Sequence, residues 1–351
     1  LNQRHWAALD APYWREEQRQ GRLNRPRIDV FLNYWLTMRR AHVVPSDRIF
    51  TDFRDHVLAG SPDVRPVLDE LSRDSACYRQ LAQQPPFSVP GTFYYRVIEV
   101  LDIAATMPVL LWLMRPASGV AAAARDEALQ AVESWVVRRT LSRVTLADTN
   151  STMVELLHQL HAVEPAMAGQ VARRFLAAQT SETRRWPGDD QVVESLTGMR
   201  LYTALVPRRR ARMLLEALED DLRSPKTEEA HCRRGVLTIE HIMPQKWRAH
   251  WGADIAGDPA AGHRRAELVQ TLGNLTLLAG KMNPYVSNHP WLSVEVDGKQ
   301  IPGKRGSLFD HSVLLLNKRL IDAHPNAWTD EDILSRTQQL AKRVTAIWQR
   351  P

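Results

Sequence analysis

The chain has 351 residues, 44% of them hydrophobic and 25% charged, which is the balance of a folded globular protein and excludes a disordered or fibrous one. That length suffices for two compact domains. A net charge of +6 suits a polyanionic partner without requiring one. The longest apolar stretch, residues 107–114, is too short to span a bilayer. Residues 2–12 mix charged and aromatic side chains with no apolar run, so no signal peptide is predicted, and a cytoplasmic location is expected. The chain opens on Leu1 rather than Met and is read as a piece of a longer protein, with a partner domain preceding it. Cys77 and Cys232 lie far apart and form no CxxC pair, which excludes a disulfide framework and a cysteine-based zinc cluster.

In chain order, residues 1–180 are predicted to be helical. Ile28, Phe31, Leu32, Trp35, Leu36 and Met38 fall largely on one face of a helix over 28–41. A second long helix is predicted over 92–114, with a kink at Pro108, and a third over 121–141. Residues 149–152 supply cap side chains for a helix running to His161. Between the first two helical groups stands a break rich in proline, Pro85, Pro86 and Pro90, followed by Gly91. Arg138 and Arg139 are expected to be structural ion-pair residues.

The pattern changes after about residue 180. Trp186-Pro187-Gly188-Asp189-Asp190 predicts a turn, and 191–222 one or two helices. Residues 236–242 form a short β-branched run suited to a buried strand. A polar segment, 253–263, precedes a second apolar run, Leu272-Gly273-Asn274-Leu275-Thr276-Leu277-Leu278. Beyond Gly280 the pattern is helical, as are the last 40 residues. The order is strand, long loop, strand, helix.

Three pieces on that framework carry chemistry: Thr238-Ile239-Glu240-His241-Ile242-Met243-Pro244-Gln245, the Leu272–Leu278 run, and Lys281-Met282-Asn283 through Ser287-Asn288. Phosphodiester hydrolysis needs a base that works near neutral pH, and imidazole has the intrinsic pKa for it. It also needs a divalent cation to neutralise charge developing on the phosphate, held by a few hard oxygen ligands with waters and substrate completing the shell. Glu240 and His241 are neighbours on a strand, so a regular strand points them to opposite faces. For both to serve one site the strand must end or distort there, and Pro244 is consistent with an ending. Asn283 would arrive from the helix after the second strand.

These segments together resemble the HNH nuclease region of GmrSD-type restriction proteins and of SspE-like relatives that act on DNA according to its modification. The resemblance spans about residues 186–348. It extends upstream to Asp29-Val30-Phe31-Leu32-Asn33-Tyr34-Trp35 and to 133–141, which resemble the helical region joining sensor and nuclease.

The implied fold is mainly α, with a helical linker or regulatory domain over 1–180. Residues 181–351 would form an α+β endonuclease domain around a small ββα-metal core. The resemblance also implies His241 as the base and Glu240 as an acidic metal ligand. Asn274 would brace the loop and orient His241, and Asn283 would complete a site for Mg²⁺ or Mn²⁺. Gln245, Asn288, Lys281, Lys246 and Arg248 are candidate DNA or loop contacts. An Asn stands where the simplest HNH pattern has its central His.

The function so implied is DNA nicking or cleavage in a modification-dependent, anti-phage restriction system. A sensor/NTPase domain, in cis or in trans, would direct it. The alternative is a helical interaction or DNA-binding module whose HNH-like domain is inactive; an RNA substrate is a third option, because the motif acts on phosphate rather than sugar.

Other signals are weaker. Gly298 through Arg305 approximates a P-loop but has Arg305 where a Ser or Thr must meet magnesium, and Pro302 removes a cradling amide. It is read as a basic loop, with Lys299, Lys304 and Arg305 as candidate phosphate contacts. Arg208, Arg209, Arg210 and Arg212 form a candidate backbone-binding patch, and Arg264 and Arg265 flank the motif. No HExxH or GxSxG motif is present.

Overall fold

The computed structural model describes residues 9–20, 23–59, 63–224, 226–227, 229–279 and 288–351. Helices dominate, and the described strands pair into small two-stranded sheets. The chain divides into two compact units, one built from residues 1–140, 144–186 and 350–351, the other from 141–143 and 187–349.

The first unit opens with a hairpin of β1 (Glu17–Gln20) and β2 (Leu23–Pro26), which the sequence reading did not anticipate. Helix α1 (Arg27–Arg40) follows, and Val30, Phe31, Trp35, Leu36 and Met38 on it are buried. Its Trp35 indole donates to Asp74 at 2.8 Å on α2 (Arg65–Leu81). Arg115 closes on the same carboxylate at 3.0 Å. A buried indole and a buried carboxylate thus satisfy each other, where either alone would cost stability.

The long helix predicted over 92–114 is not continuous. A turn of helix at Val89–Phe93 widens into π-helix at Tyr94–Val100, and Asp102 then adopts a left-handed backbone at φ 62°. The chain restarts as α3 (Met107–Met114) with Pro108 in its first turn. Proline kinks a helix when it removes an interior hydrogen bond, but in the first turn its missing N–H costs nothing. The break therefore falls before Pro108, and the proline begins a helix instead of bending one.

Helices α4 (Ala122–Leu141), α5 (Thr149–His161) and α6 (Ala168–Ala177) complete this unit. On α4, Arg139 is fully buried and donates to the carbonyl oxygens of Thr145, Thr183 and Arg185 while its guanidinium lies 4.3 Å from the Trp135 ring centre. These partners are backbone carbonyls, not the carboxylate of an ion pair. A planar fork of five donors can tie several loops at once. Burial pushes its pKa down to about 10. A buried ion pair, Arg96–Glu133 at 2.7 Å, lies in the same unit.

The second unit begins with α7 (Asp189–Gly198) and α8 (Arg208–Leu222). Strand β3 (Thr238–His241) pairs antiparallel with β4 (Leu275–Leu278), His241 standing opposite Leu275. Between them lies α9 (Pro259–Leu268), so the polar segment 253–263 is helical in its second part. Its start is capped by the Asp258 carboxylate accepting from the Ala261 amide at 2.9 Å. Strands β5 (Val294–Val296) and β6 (Lys299–Ile301) form a hairpin turned by Asp297 and Gly298, both at positive φ, as a tight two-residue turn requires. The P-loop-like sequence is this hairpin and the start of the next helix.

Helices α10 (Lys304–His311), α11 (Leu315–Ala323) and α12 (Asp330–Ile347) close the unit. The Glu219 carboxylate of α8 accepts from the Leu315 and Leu316 amides at 3.0 and 2.9 Å, capping α11 from another helix. Ile242, Met243, Trp247, Val269, Leu278, Trp291, Leu308, Leu320, Trp328 and Ile333 make the core against which the β3–β4 hairpin packs. No helix among the described residues is long and apolar enough to cross a membrane.

Candidate active site

The site is organised around the end of β3. Ile242 continues the ladder by donating to the Asn274 carbonyl at 2.9 Å. Pro244 cannot extend the ladder, so the chain leaves the sheet there. Asn274 takes over from the missing strand pairing. Its Oδ1 accepts from the Met243 amide at 2.8 Å and from the Trp328 indole at 3.1 Å. Its Nδ2 donates to the carbonyls of Met243 at 2.8 Å and Val269 at 3.0 Å. An Asn side chain has two donor hydrogens and two acceptor lone pairs, and here all are used. Asn274 is fully buried, so it braces the strand end and has nothing left to offer a substrate.

The turn that carries Asn274 is pinned to α12. Thr337 Oγ1 accepts from the Gly273 amide at 3.0 Å, and the buried Arg336 donates to the Gly273 and Leu275 carbonyls. A Cβ on residue 273 would lie 2.1 Å from the Ile333 carbonyl oxygen, so glycine is required by the close approach of two backbones.

His241 is buried at 7% exposure, with its ring edge-on to Tyr202 at 4.6 Å between centres. Its Nε2 lies 3.3 Å from Gln270 Oε1 and 3.3 Å from Gln245 Nε2. The two contacts demand opposite roles of one nitrogen: it donates to Gln270 in one tautomer and accepts from Gln245 in the other. Burial lowers the imidazole pKa to about 4, the Gln270 hydrogen bond offsets part of this, and the Lys304 and Arg208 charges add to the depression. The ring is therefore neutral at pH 7, and the same burial makes it a weaker base than a free imidazole.

Glu240 points the other way. β3 stays regular through His241, so alternation holds and the two side chains diverge. The Glu240 carboxylate meets Lys304 of α10 at 2.7 Å, and the same ammonium donates to the His241 carbonyl at 2.5 Å. Lys304 is fully buried, which corrects its reading as a surface phosphate contact: a lysine inside this unit can exist only with the carboxylate it faces. Burial raises the Glu240 pKa, against the opposing pull of Lys304, and lowers that of Lys304.

The expected metal ligands can be tested against this arrangement. Glu240 is already neutralised by Lys304, and among the described residues no three His, Cys, Asp or Glu side chains converge to hold an ion. The described donor set does not fit a divalent cation at Glu240. Asn283 and Lys281 lie outside the described residues.

Gln245, Lys246, Arg248 and Asn288 are exposed, as are Arg208, Arg209 and Arg264. Arg265 is not: it is buried and holds Asp254 and Asp330 at 2.6 and 2.8 Å, so it knits α9 to α12 and is unavailable to DNA. Arg212 leans toward Glu216 at 3.8 Å on its own helix. Buried Cys232 has its thiol pKa raised by desolvation, consistent with an unreactive core residue.

Sequence reasoning missed Tyr202 and Gln270, and it named Lys304 only as a phosphate contact. Tyr202 reaches the site because residues 200–202 run beside the turn before β4: Leu201 and Tyr202 donate to the Gln270 carbonyl at 2.8 and 3.1 Å, and Arg200 bridges Thr271. That proximity has no signature in a linear pattern.

Residues 186–343 match the family model of the GmrSD restriction endonucleases, C-terminal domain. The C-terminal region is of GmrSD type. His241, Asn274, Tyr202, Gln270 and Lys304 all fall inside the matched span, whereas the two upstream segments thought to share the resemblance lie outside it. No curated protein sequence matches the chain.

Proposed function

We propose that the GmrSD-type region is an HNH endonuclease module that hydrolyses DNA phosphodiester bonds, with His241 as the general base. The observation that carries this reading is the His241 imidazole at the end of β3, held beside Gln245, Gln270 and Tyr202, in a region matching a restriction-endonuclease domain. In the step proposed, His241 Nε2 takes a proton from water as the water oxygen bonds to phosphorus. The bond from phosphorus to the leaving sugar oxygen breaks, and that oxygen is protonated from solvent. Nε2 must then be unprotonated at the start, the tautomer in which Gln245 donates to it. Exposed Gln245 swings aside to admit the water while Tyr202 keeps the ring oriented, and Gln270 Oε1 accepts from Nε2 once that nitrogen has taken the proton.

Dependence on Mg²⁺ or Mn²⁺ is part of the proposal and separable from the assignment of the base. So is the biological setting, an anti-phage restriction system in which a sensor/NTPase domain licenses cutting according to DNA modification. Supercoiled plasmid incubated with the chain and Mg²⁺, Mn²⁺ or EDTA tests both parts beside His241→Ala. The expected result is metal-dependent nicking or linearisation, reduced in the variant on the order of a hundredfold to ten-thousandfold. Wild-type cleavage by His241→Ala would remove the base. Cleavage in EDTA would remove the metal.

A further inference from the structure

Tyr202 touches both His241 and an arginine. The Arg208 guanidinium lies 5.1 Å from the Tyr202 ring centre, and Tyr202 in turn meets the His241 ring at 4.6 Å. Arg208 opens α8, so its position is set by a helix packed into the core through Ala211, Leu214, Leu215 and Leu218 and not by a loop alone. Its side chain is exposed, yet its charge is close enough to be felt at the imidazole. Arg210 is half-buried and Arg212 faces Glu216, which leaves Arg208 and Arg209 as the exposed arginines of this first turn.

We propose that Arg208 is a catalytic residue that binds the scissile phosphate beside His241, with Tyr202 as the positioning residue that holds the guanidinium over the site. This rests on the nuclease reading of His241 and names a further group for the same reaction. The physical case has three parts. A phosphate attacked by water gains negative charge on its non-bridging oxygens, and a guanidinium presents two parallel N–H donors matched to them. The face of an aromatic ring orients the guanidinium plane without consuming its hydrogen-bond donors, so the fork stays free for the phosphate. Charge stabilisation is worth most where the donor is fixed before the reaction. The site needs such a cation among its described residues, because Lys304, the other one near His241, is spent on Glu240.

The test uses the full chain and a short DNA duplex under single-turnover conditions, with protein in excess. Arg208→Ala should slow cleavage at saturation on the order of a hundredfold. Arg208→Lys should recover part of that loss, because it restores charge without the fork. Tyr202→Ala should lose rate as well, and the double variant with Arg208→Ala should fall little below the worse single one, since both act through one contact. Arg319→Ala, at an exposed arginine of α11, should leave the saturated rate near that of the parent.

Equal saturated rates for Arg208→Ala and the parent would overturn the proposal, as would equal losses for Arg208→Ala and Arg319→Ala. Loss of activity in His241→Ala with full activity in Arg208→Ala sinks this inference alone and leaves the nuclease reading standing. If the parent chain does not cleave, duplex binding decides. Arg208→Ala should then reduce the slope of log affinity against log salt by about one charge, and an unchanged slope would overturn the proposal.

Discussion

Lys304 and Glu240 form a buried ion pair at 2.7 Å, and the same lysine holds the His241 carbonyl. One ammonium therefore ties α10 to the strand end that presents the candidate base. Removing it strands a carboxylate in the interior. Lys304→Met should destabilise the unit by about 3–5 kcal/mol, read as a lowered urea midpoint. Glu240→Leu combined with Lys304→Met removes both charges and should recover more than half of that loss. A double variant no more stable than Lys304→Met would show that the ion pair is not the source of the effect.

Asn274 replaces strand pairing where Pro244 forbids it. Asn274→Ala orphans the Met243 amide and carbonyl, the Val269 carbonyl and the Trp328 indole together. At about 1–3 kcal/mol for each buried group left unpaired, and with partial relaxation, a loss on the order of 4 kcal/mol is expected in thermal or urea unfolding. Asn274→Asp should be nearly as harmful, because a carboxylate cannot donate to the two carbonyls.

At position 273 the constraint is space. Gly273→Ala would drive a methyl group into the Ile333 carbonyl and Thr337. The turn must then move off α12, and Asn274 moves with it. The variant should be destabilised by about 2–4 kcal/mol, in the range of overpacking with lost buried hydrogen bonds. Gly298→Ala, at the open tip of the β5–β6 turn, meets no atom and should cost only the strain of positive φ, about 1 kcal/mol. Comparing the two unfolding midpoints separates close packing from backbone conformation.

The depressed pKa of His241 links stability to pH. The unfolded imidazole titrates near 6.5, whereas the folded one is held down to about 4 by burial, with Lys304 and Arg208 as the charged neighbours. Between those values the unfolded chain binds a proton that the folded chain refuses, so stability is full above about pH 6.5 and falls as pH drops toward 4. The contribution over that window is on the order of 3 kcal/mol. His241→Gln should show a shallower loss of stability than the parent between pH 6.5 and 4. Parallel curves would refute the assignment. On the nuclease reading, cleavage should also persist below pH 6, where an ordinary histidine base would already be protonated.

The sequence alone determined a good deal here, because some constraints are local. Helical periodicity located α1 closely, since apolar residues recurring every three to four positions have one way to be buried, and the polar residues at 149–152 marked the start of α5. The β-branched run at 236–242 and the apolar run before 278 located β3 and β4. The Glu240-His241 and Gly273-Asn274 pieces, taken in order, led to the GmrSD resemblance that residues 186–343 carry. The helix break before Pro108 was less accessible, because a proline inside an apolar stretch is compatible with either a kink or a new start.

What only the tertiary structure decided is which side chains meet. Strand alternation made Glu240 and His241 diverge, and whether β3 stayed regular to its end depended on its pairing with β4. Lys304 and Arg265 look like surface cations in the sequence, and packing buried both against carboxylates from distant segments. Tyr202, Gln270 and Arg208 came to His241 from three separate elements. A buried charge or a ring contact depends on partners tens of residues away, so a linear pattern carries the residue types but not their pairing.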